Sequence, residues 1–375
     1  MADDVMFGFG AMRLDLVDEN DQSSVDKSNY QEMIDYYMSQ GFNYFDTSYA
    51  YHDGSSEIGL REYLVKKYPR DSFKIADKMP TWLLLSEEDN QKYVDEMLER
   101  LGVEYFDVFL IHNINEAFLA IAEKCNTFEY IKKMKEEGIA REIGISYHDR
   151  ADLLEKILEK YGDVLDVVQL QLNYLDWESQ LTESRKCYEV CEKYGVDVIV
   201  MEPIKGGTLF NLPDNIKDEF KAFNPNMTLV EWALRFAATP KNVKVILSGM
   251  GNIDQMKENC DIFKPFKPLD DEEIEFVLEM AEKIKELIAI PCSYCGYCLK
   301  ECPEGIPIPD YFELYNSEKM YSLPSLYAIY GTTAAVNAPA SACTYCESCV
   351  EICTQKLEIP DLLEDVADLF ESTMM

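Results

Sequence analysis

The chain of 375 residues carries 35 basic and 70 acidic side chains, a formal net charge of −35 at pH 7. Such a surface repels phosphate backbones and anionic headgroups, which excludes nucleic acid and an anionic membrane as partners. No apolar run has the length of a membrane span, and the opening Met1-Ala2-Asp3-Asp4, with no basic start and no apolar core, points to a cytoplasmic protein.

From residue 5 to about 262, short β-branched or aromatic runs ending near Phe9, Phe45, Ala76, Ile111, Ile145, Leu170, Val200 and Leu247 alternate with amphipathic stretches. The stretches are Asn29 to Gln40, Ser56 to Lys67, Asp89 to Leu101, Phe128 to Glu137, Arg150 to Lys160, Glu183 to Lys193, Leu229 to Ala238 and Asp254 to Cys260. Eight strand–helix units predict an α/β fold of the (β/α)8 TIM-barrel type over residues 1–263. A doubly wound sheet is the alternative, but it wants a glycine-rich helix opening that Gly8-Phe9-Gly10 does not lead into. Beyond Pro265 and Pro268, Asp270 to Ala289 reads as a helix with acidic residues in its first turn, a connector over residues 264–291. Residues 292–375 form a third region. Its stretches Pro309 to Tyr315 and Ser325 to Tyr330 favour short helices, and a closing helix over Ile359 to Phe370 carries Leu362, Val366, Leu369 and Phe370 on one face.

That third region holds two cysteine runs of one spacing: Cys292, Cys295, Cys298, Cys302 and Cys343, Cys346, Cys349, Cys353. Cys-x2-Cys-x2-Cys wraps three thiolates around one face of an iron–sulfur cubane. In two-cluster ferredoxins the fourth cysteine of each run serves the other cluster. The expected ligand sets are therefore Cys292, Cys295, Cys298 and Cys353 for one [4Fe–4S] cluster, and Cys343, Cys346, Cys349 and Cys302 for a second. Zinc is the plainer reading, but structural zinc sites use cysteine pairs separated by an insert, and a disulfide framework needs a secreted chain. Pro303 follows Cys302 as the motif expects, whereas Thr354 replaces proline after Cys353. The appendage reads as a small, mainly helical ferredoxin-type domain with two clusters, at home where oxygen is low. Cys125, Cys187, Cys191 and Cys260 read as core residues.

A (β/α)8 barrel places its chemistry at the C-terminal ends of its strands. The residues there are Asp46, Lys78, His112, Ser146, Gln171 with Asn173, Glu202, and Ser248 with Gly249. Polar groups at seven successive strand ends converge on one mouth. Loop residues His52 and His148 flank it and read as backbone hydrogen-bonding histidines, with a proton shuttle as the other reading.

The segments Asp46-Thr47-Ser48-Tyr49-Ala50-Tyr51, Ala76-Asp77-Lys78, Leu110-Ile111-His112, Gly144-Ile145-Ser146, Gln169 to Asn173 and Gln255 to Asn259 resemble the aldo-keto reductase family. The resemblance covers about residues 5 to 262, and the whole chain looks like the branch with a C-terminal iron–sulfur domain. It implies a catalytic tetrad of Asp46, Tyr51, Lys78 and His112. Tyr51 would protonate the alkoxide left by hydride delivery, Lys78 would lower the phenol's pKa, Asp46 would hold Lys78, and His112 would orient the substrate oxygen. It further implies nicotinamide contacts from Ser146, Gln171 and Asn173, with Tyr147 replacing a common asparagine so that ring stacking becomes available. Pyrophosphate contacts would run from Met201 to Gly207, including Pro203, Lys205, Gly206 and Gly207. Adenine-end contacts would come from Ser248, Gly249, Gly251, Asn252, Gln255 and Asn259.

Relatives that take NADP(H) grip its 2′-phosphate with arginine. This chain offers Lys257 there and no arginine beyond Arg235, so NADP(H) and NAD(H) both stay open. A flavin, FMN, is the further candidate for the anion site around Lys205, Gly206, Gly207 and Gly251. Clusters pass single electrons and a nicotinamide passes a hydride, so coupling them needs a flavin or a radical-stabilising substrate. The sequence thus implies an oxidoreductase acting on a small carbonyl or alcohol, with a ferredoxin-like electron partner. The alternatives are a redox-sensing or electron-carrying protein whose barrel holds its cofactor without turnover, and clusters that serve as structural staples.

Overall fold

The apolar runs close into a parallel barrel, β1 (Met6–Gly10), β2 (Tyr44–Asp46), β3 (Lys74–Met79), β4 (Phe106–Ile114), β5 (Ala140–Tyr147), β6 (Val167–Gln171), β7 (Asp197–Met201) and β8 (Val243–Gly249), paired in sequence order with β8 returning to β1. The computed structural model describes residues 5–18, 21–179, 182–321 and 325–372. The opening Met1 to Asp4, read for its lack of a leader, lies outside the described residues.

Strand side chains alternate between two faces, and this period builds both the barrel core and its mouth. Tyr44, Ala76, Val108, Leu110, Val167, Ile199, Val245 and Leu247 form one buried apolar cluster. Two residues further along the same faces come Asp46, Lys78, His112 and Gln169, so the inward rows turn from apolar to polar at the strand ends. The β5–β6 contact is close enough to need glycine: a Cβ at Gly144 would lie 2.0 Å from the Val167 carbonyl oxygen.

The outer layer consists of α1 (Lys27–Ser39), α2 (Ser55–Leu60), α3 (Glu88–Leu101), α4 (Glu116–Lys124), α5 (Thr127–Glu136), α6 (Ala151–Tyr161), α7 (Ser184–Tyr194), α9 (Leu229–Ala237) and α10 (Ile253–Ile262); α8 (Asp214–Phe223) is treated below. Local chemistry sets their ends. Asp26 caps α1 by accepting from the Ser28 and Asn29 amides, and Gly102 and Gly195 close α3 and α7 in the left-handed conformation. Helices α4 and α8 have no counterpart in the sequence expectation. Each buries only one or two side chains, Ala122 in α4, Ile216 and Phe220 in α8, so the apolar stripe that marks a helix is thin.

The chain divides into two compact units, Met1–Pro203 with Val230–Asp270, and Ile204–Leu229 with Asp271–Met375. The expected connector helix is observed as α11 (Asp271–Lys285) and belongs to the second unit together with α8. The reason is local packing. Phe276 meets the rings of Phe220 and Phe223, the latter stacked at 4.2 Å, and Lys283 pairs with Glu219.

The rest of the second unit is helical, with α12 (Tyr297–Glu301), α13 (Ile308–Tyr321), α14 (Ser325–Val336), α15 (Ser348–Ile352) and α16 (Ile359–Phe370). It is built twice over. Each cysteine run has left-handed residues at matching places: Tyr294 (φ 57°), Gly296 (76°) and Gly305 (70°) in the first, Tyr345 (55°), Glu347 (61°) and Lys356 (53°) in the second. Each leads through a short helix, α12 or α15, to an Ile-Pro-Asp start of a longer one, α13 or α16. The repeats enclose one core with Tyr311, Phe312, Tyr330, Leu363, Val366 and Phe370. Tyr330 and Phe370 stack within it at 4.8 Å. Among the described residues no helix is long and apolar enough to cross a membrane.

Candidate active site and cysteine centre

Three strands, β2, β3 and β4, and one turn bring the expected tetrad together. Lys78 Nζ donates to Asp46 Oδ1 at 2.5 Å and to the Thr47 carbonyl at 2.7 Å, and lies 4.8 Å from the Tyr51 ring centroid. The Tyr51 and His112 rings meet edge-on at 6.0 Å. All four are buried, Lys78 completely. Tyr51 is aimed by a tight turn, Tyr51–Gly54, in which His52 and Asp53 take left-handed backbone angles.

The residues behind the tetrad were not singled out from the sequence. Gln169 Nε2 donates to the other oxygen of Asp46 at 3.1 Å, so both oxygens are engaged. Ser48 Oγ lies 3.0 Å from His112 Nδ1, and Thr81 Oγ1 donates to the His112 carbonyl at 2.8 Å. Inward strand period carries the signal for Gln169, and adjacency to Asp46 places Ser48. Nothing in one sequence pairs either with its partner.

Burial decides the protonation states. The Tyr51 phenol is pushed well above its ordinary pKa by desolvation, with Asp46, Glu202 and Asp77 adding to the effect and Arg13 opposing it. This corrects the expectation of a lowered pKa. Lys78 spends its charge on Asp46 at hydrogen-bond distance, so the phenol gains little from it. His112 is pushed well below the usual histidine range by burial, with Lys78 and His148 adding, and is neutral. A protonated phenol and a neutral imidazole leave two neutral groups able to address a carbonyl oxygen.

Beneath the tetrad, Asp77 points to the helix side of β3 and meets Glu57 of α2. Both are fully buried. Burial pushes Glu57 up to about 7 against the pull of Arg100, which contacts it at 2.9 Å, and pushes Asp77 well above the carboxylate range.

The expected cofactor contacts divide into three states. Gln171 Nε2 and Asn173 Nδ2 both donate to Asp176 Oδ2, at 2.6 and 2.8 Å, and Ser146 Oγ lies 3.1 Å from His148 Nε2. Asp176 is a polar organiser that sequence reading missed. Tyr147, read as a stacking ring, instead donates its hydroxyl to the Arg150 carbonyl. At the other end Ser248 Oγ and Asn259 Oδ1 are buried with no hydrogen-bond partner among the described residues, the state expected of atoms kept for a ligand. Asn252 caps α10 by accepting from the Gln255 amide, and Gln255 Oε1 accepts from Gly251 N at 2.8 Å. Gly249 packs under Arg13, whose Nη2 donates to Glu202 Oε1 at 2.8 Å. Met201 and Pro203 end the first unit's β7 segment. Lys205, Gly206 and Gly207 belong to the second unit, where Lys205 is buried and donates to Gln355 Oε1 at 3.1 Å. Its ammonium is therefore engaged inside the protein. His52 accepts from the Leu14 amide, the backbone role expected of it.

In the second unit the sulfurs of the two cysteine runs act on one another. Cys292 feels Cys295 and Cys353, Cys298 feels Cys295, Cys292, Cys353 and, least, Cys349, and Cys349 feels Cys343, Cys346 and Cys302. Burial pushes the Cys292 thiol up to about 12 and Cys349 up to about 11, whereas hydrogen bonds from Ser348 hold Cys346 below the usual thiol value. Backbone amides point at the sulfurs, Tyr294 N to Cys292 at 3.4 Å and Leu357 N to Cys353 at 3.5 Å. Eight thiols, three of them buried and one exposed, with amide donors at Cys292 and Cys353, suit an iron–sulfur cluster, which binds thiolate and disperses its charge into such donors. Cys125, Cys187, Cys191 and Cys260 are buried in the barrel unit, as expected of core residues.

Comparison with known proteins shows the family. Residues 7–282 match the aldo/keto reductase family model and residues 291–357 match a 4Fe-4S dicluster domain. An L-galactose dehydrogenase of Arabidopsis thaliana is 27% identical over 269 residues, 66% of this chain and 82% of that protein. An NADH-specific methylglyoxal reductase of Escherichia coli is 29% identical over 189 residues, 45% of this chain and 54% of that protein. Among solved structures, an aldo-keto reductase from Klebsiella pneumoniae in complex with NADPH superposes with a TM-score of 0.58 at 18% identity, over 73% of this chain and 90% of that one. The chain belongs to the aldo/keto reductase family as an oxidoreductase whose (β/α)8 barrel is joined to a C-terminal 4Fe-4S dicluster domain.

Proposed function

We propose that the barrel reduces a small carbonyl compound, or oxidises the matching alcohol, with a nicotinamide cofactor, and that eight cysteines hold two [4Fe–4S] clusters. The observation that carries the enzymatic reading is the buried Asp46–Lys78 pair set 4.8 Å below the Tyr51 ring, with His112 beside it. The cofactor supplies the hydride when bound. Tyr51 donates the proton that the developing alkoxide needs, and burial keeps that proton on the phenol until then. His112, neutral and oriented by Ser48, hydrogen-bonds the same oxygen. The Lys78 ammonium, held by Asp46, packs 4.8 Å from the Tyr51 ring centroid and so keeps the ring in position for that transfer. Ser248 Oγ and Asn259 Oδ1 are the atoms that would receive the adenine end. Lys257 is exposed on α10 and is the cation nearest in sequence to those residues, which supports NAD(H) and NADP(H) alike.

The two cysteine runs support a cluster of Cys292, Cys295, Cys298 and Cys353 and a second of Cys302, Cys343, Cys346 and Cys349, passing single electrons to a ferredoxin-like partner. The test is anaerobic turnover of a carbonyl panel with NADH and NADPH. Tyr51→Phe should lose at least about a hundredfold in rate, the scale of a lost general acid, while still quenching nicotinamide fluorescence on binding. A variant that turns over at the parent rate rules Tyr51 out as the acid.

A further inference from the structure

The turn after β7 places a buried cation among the cysteines. Lys205 takes a left-handed backbone angle (φ 47°) in a tight turn closed by Gly206 and Gly207, and is only 1% exposed. A lysine holds both a strained backbone and a desolvated ammonium only where its head group is well engaged. Here Nζ donates to Gln355 Oε1 at 3.1 Å. Gln355 Nε2 donates to Thr354 Oγ1 at 3.2 Å, and Thr354 Oγ1 lies 3.7 Å from Cys295 Sγ. Thr354 and Gln355 are themselves buried.

The internal repeat supplies a control. Thr354 and Gln355, which follow Cys353, correspond to Pro303 and Glu304, which follow Cys302 and are exposed. Proline has neither hydroxyl nor amide proton, and Glu304 adds a negative charge in place of a neutral amide. One half of the repeat thus has a relay ending in a cation, and the other half has none at that place. Thr354 is also the residue that departs from the Cys-Pro pattern, and the relay gives that departure a use.

Resting on the two-cluster reading, we infer that Lys205, acting through Gln355 and Thr354, is a positioning residue that raises the reduction potential of the cluster held by Cys292, Cys295, Cys298 and Cys353 above that of its neighbour. One-electron reduction adds one negative charge to a cluster, and a cation with hydrogen bonds to the ligand sulfurs stabilises that added charge. Electrons entering the pair then settle on this cluster first.

The experiment is an anaerobic titration of the full holoprotein with dithionite, followed by electron paramagnetic resonance, with iron and labile sulfide counted. Lys205→Gln should make one of the two reduction steps about tenfold less favourable, about 59 mV for one electron, and leave the other in place. Lys205→Arg should keep the parent value, and Thr354→Val should shift the same step in the same direction by less. Steps that stay put, or that move together, overturn the inference while leaving two clusters standing. A parent protein with far fewer than about eight irons removes the two-cluster reading and this inference with it. Should Lys205→Gln fail to hold iron, Gln355→Leu cuts the relay and keeps the lysine: a lowered step supports the assignment and an unmoved one ends it.

Discussion

The barrel mouth and the cysteine loops position their reactive atoms by opposite means. At the mouth, regular strands aim the side chains, and hydrogen bonds among those side chains finish the work: Asp46 is held by Lys78 and Gln169, His112 by Ser48 and the rings beside it. In the cysteine loops the backbone itself is bent, with left-handed residues at Tyr294, Gly296, Tyr345 and Glu347 turning the chain around each triplet of sulfurs. A site built from side chains on rigid strands is damaged by losing one polar partner, because the other is left buried and unpaired. A site built from a bent loop is damaged by losing the ligand that the bend exists to present.

The largest effect should follow from breaking the buried pair. Lys78→Met leaves Asp46 desolvated without its cation, which should cost about 3 kcal/mol of stability and abolish turnover. Chemical denaturation checks the first and NAD(P)H oxidation the second. The double variant Asp46→Asn, Lys78→Met should recover part of the stability and none of the activity. If it is no more stable than Lys78→Met alone, the pair is not the source of the loss.

The contrasting prediction concerns the loops. Cys295→Ser should remove one cluster, lowering iron from about eight to about four per chain, while the barrel's circular dichroism stays unchanged. Crossed ligation sharpens this. Cys353→Ser should leave the same residual paramagnetic signal as Cys295→Ser, and Cys302→Ser the same signal as Cys346→Ser. Pairing by run instead, with Cys302 behaving like Cys295, would refute the crossing.

Legibility in the sequence followed the same split. The eight strands and their order could be read because each is a short apolar run, and Asp46, Lys78 and His112 because strand ends in a barrel face one mouth; Tyr51, in the turn after β2, was legible only through the resemblance to the aldo-keto reductase family, which also joined the four as a tetrad. The cysteine spacing was legible for the simpler reason that ligand geometry is local. What escaped depends on contacts between distant residues. Asp176 draws Gln171 and Asn173 away from an open mouth, Lys205 turns inward to Gln355, and Glu57 meets Asp77 across α2 and β3. The wider repeat, with Tyr294 matching Tyr345 and Ile308-Pro309-Asp310 matching Ile359-Pro360-Asp361, was present in the sequence, but the cysteines drew attention from it.

A pH test probes the carboxyl pair below the tetrad. Glu57 has its folded pKa raised from 4.5 to about 7, so the folded state binds the proton more tightly than the unfolded one. Its contribution is fully present below about 4.5 and is lost as pH rises through about 7. Glu57→Gln keeps an oxygen for Arg100 and removes the titration. Relative to the parent it should gain stability between those limits, by at most on the order of 3 kcal/mol. Calorimetric midpoints at several pH values measure the difference between the two proteins. A difference that does not change with pH would mean that Glu57 is ionised in the fold throughout.

The smallest expected effect tests how the side-chain site is finished. Ser48 Oγ lies 3.0 Å from His112 Nδ1, and both are buried. When the hydroxyl donates to Nδ1, the ring carries its proton on Nε2. Ser48→Ala removes one neutral hydrogen bond, worth about 1 kcal/mol, and leaves the ring's packing against Trp82 at 5.3 Å in place. The rate with a carbonyl substrate should fall about fivefold, and Ser48→Thr should restore it. Because burial holds His112 well below the usual histidine range, the loss should be the same at every pH from about 6 to 8. A loss that deepens toward acid pH would show that the imidazole takes up a proton once the hydroxyl is gone, and that Ser48 guards its charge state rather than its orientation. No loss at all would leave ring packing as the sole device that orients His112.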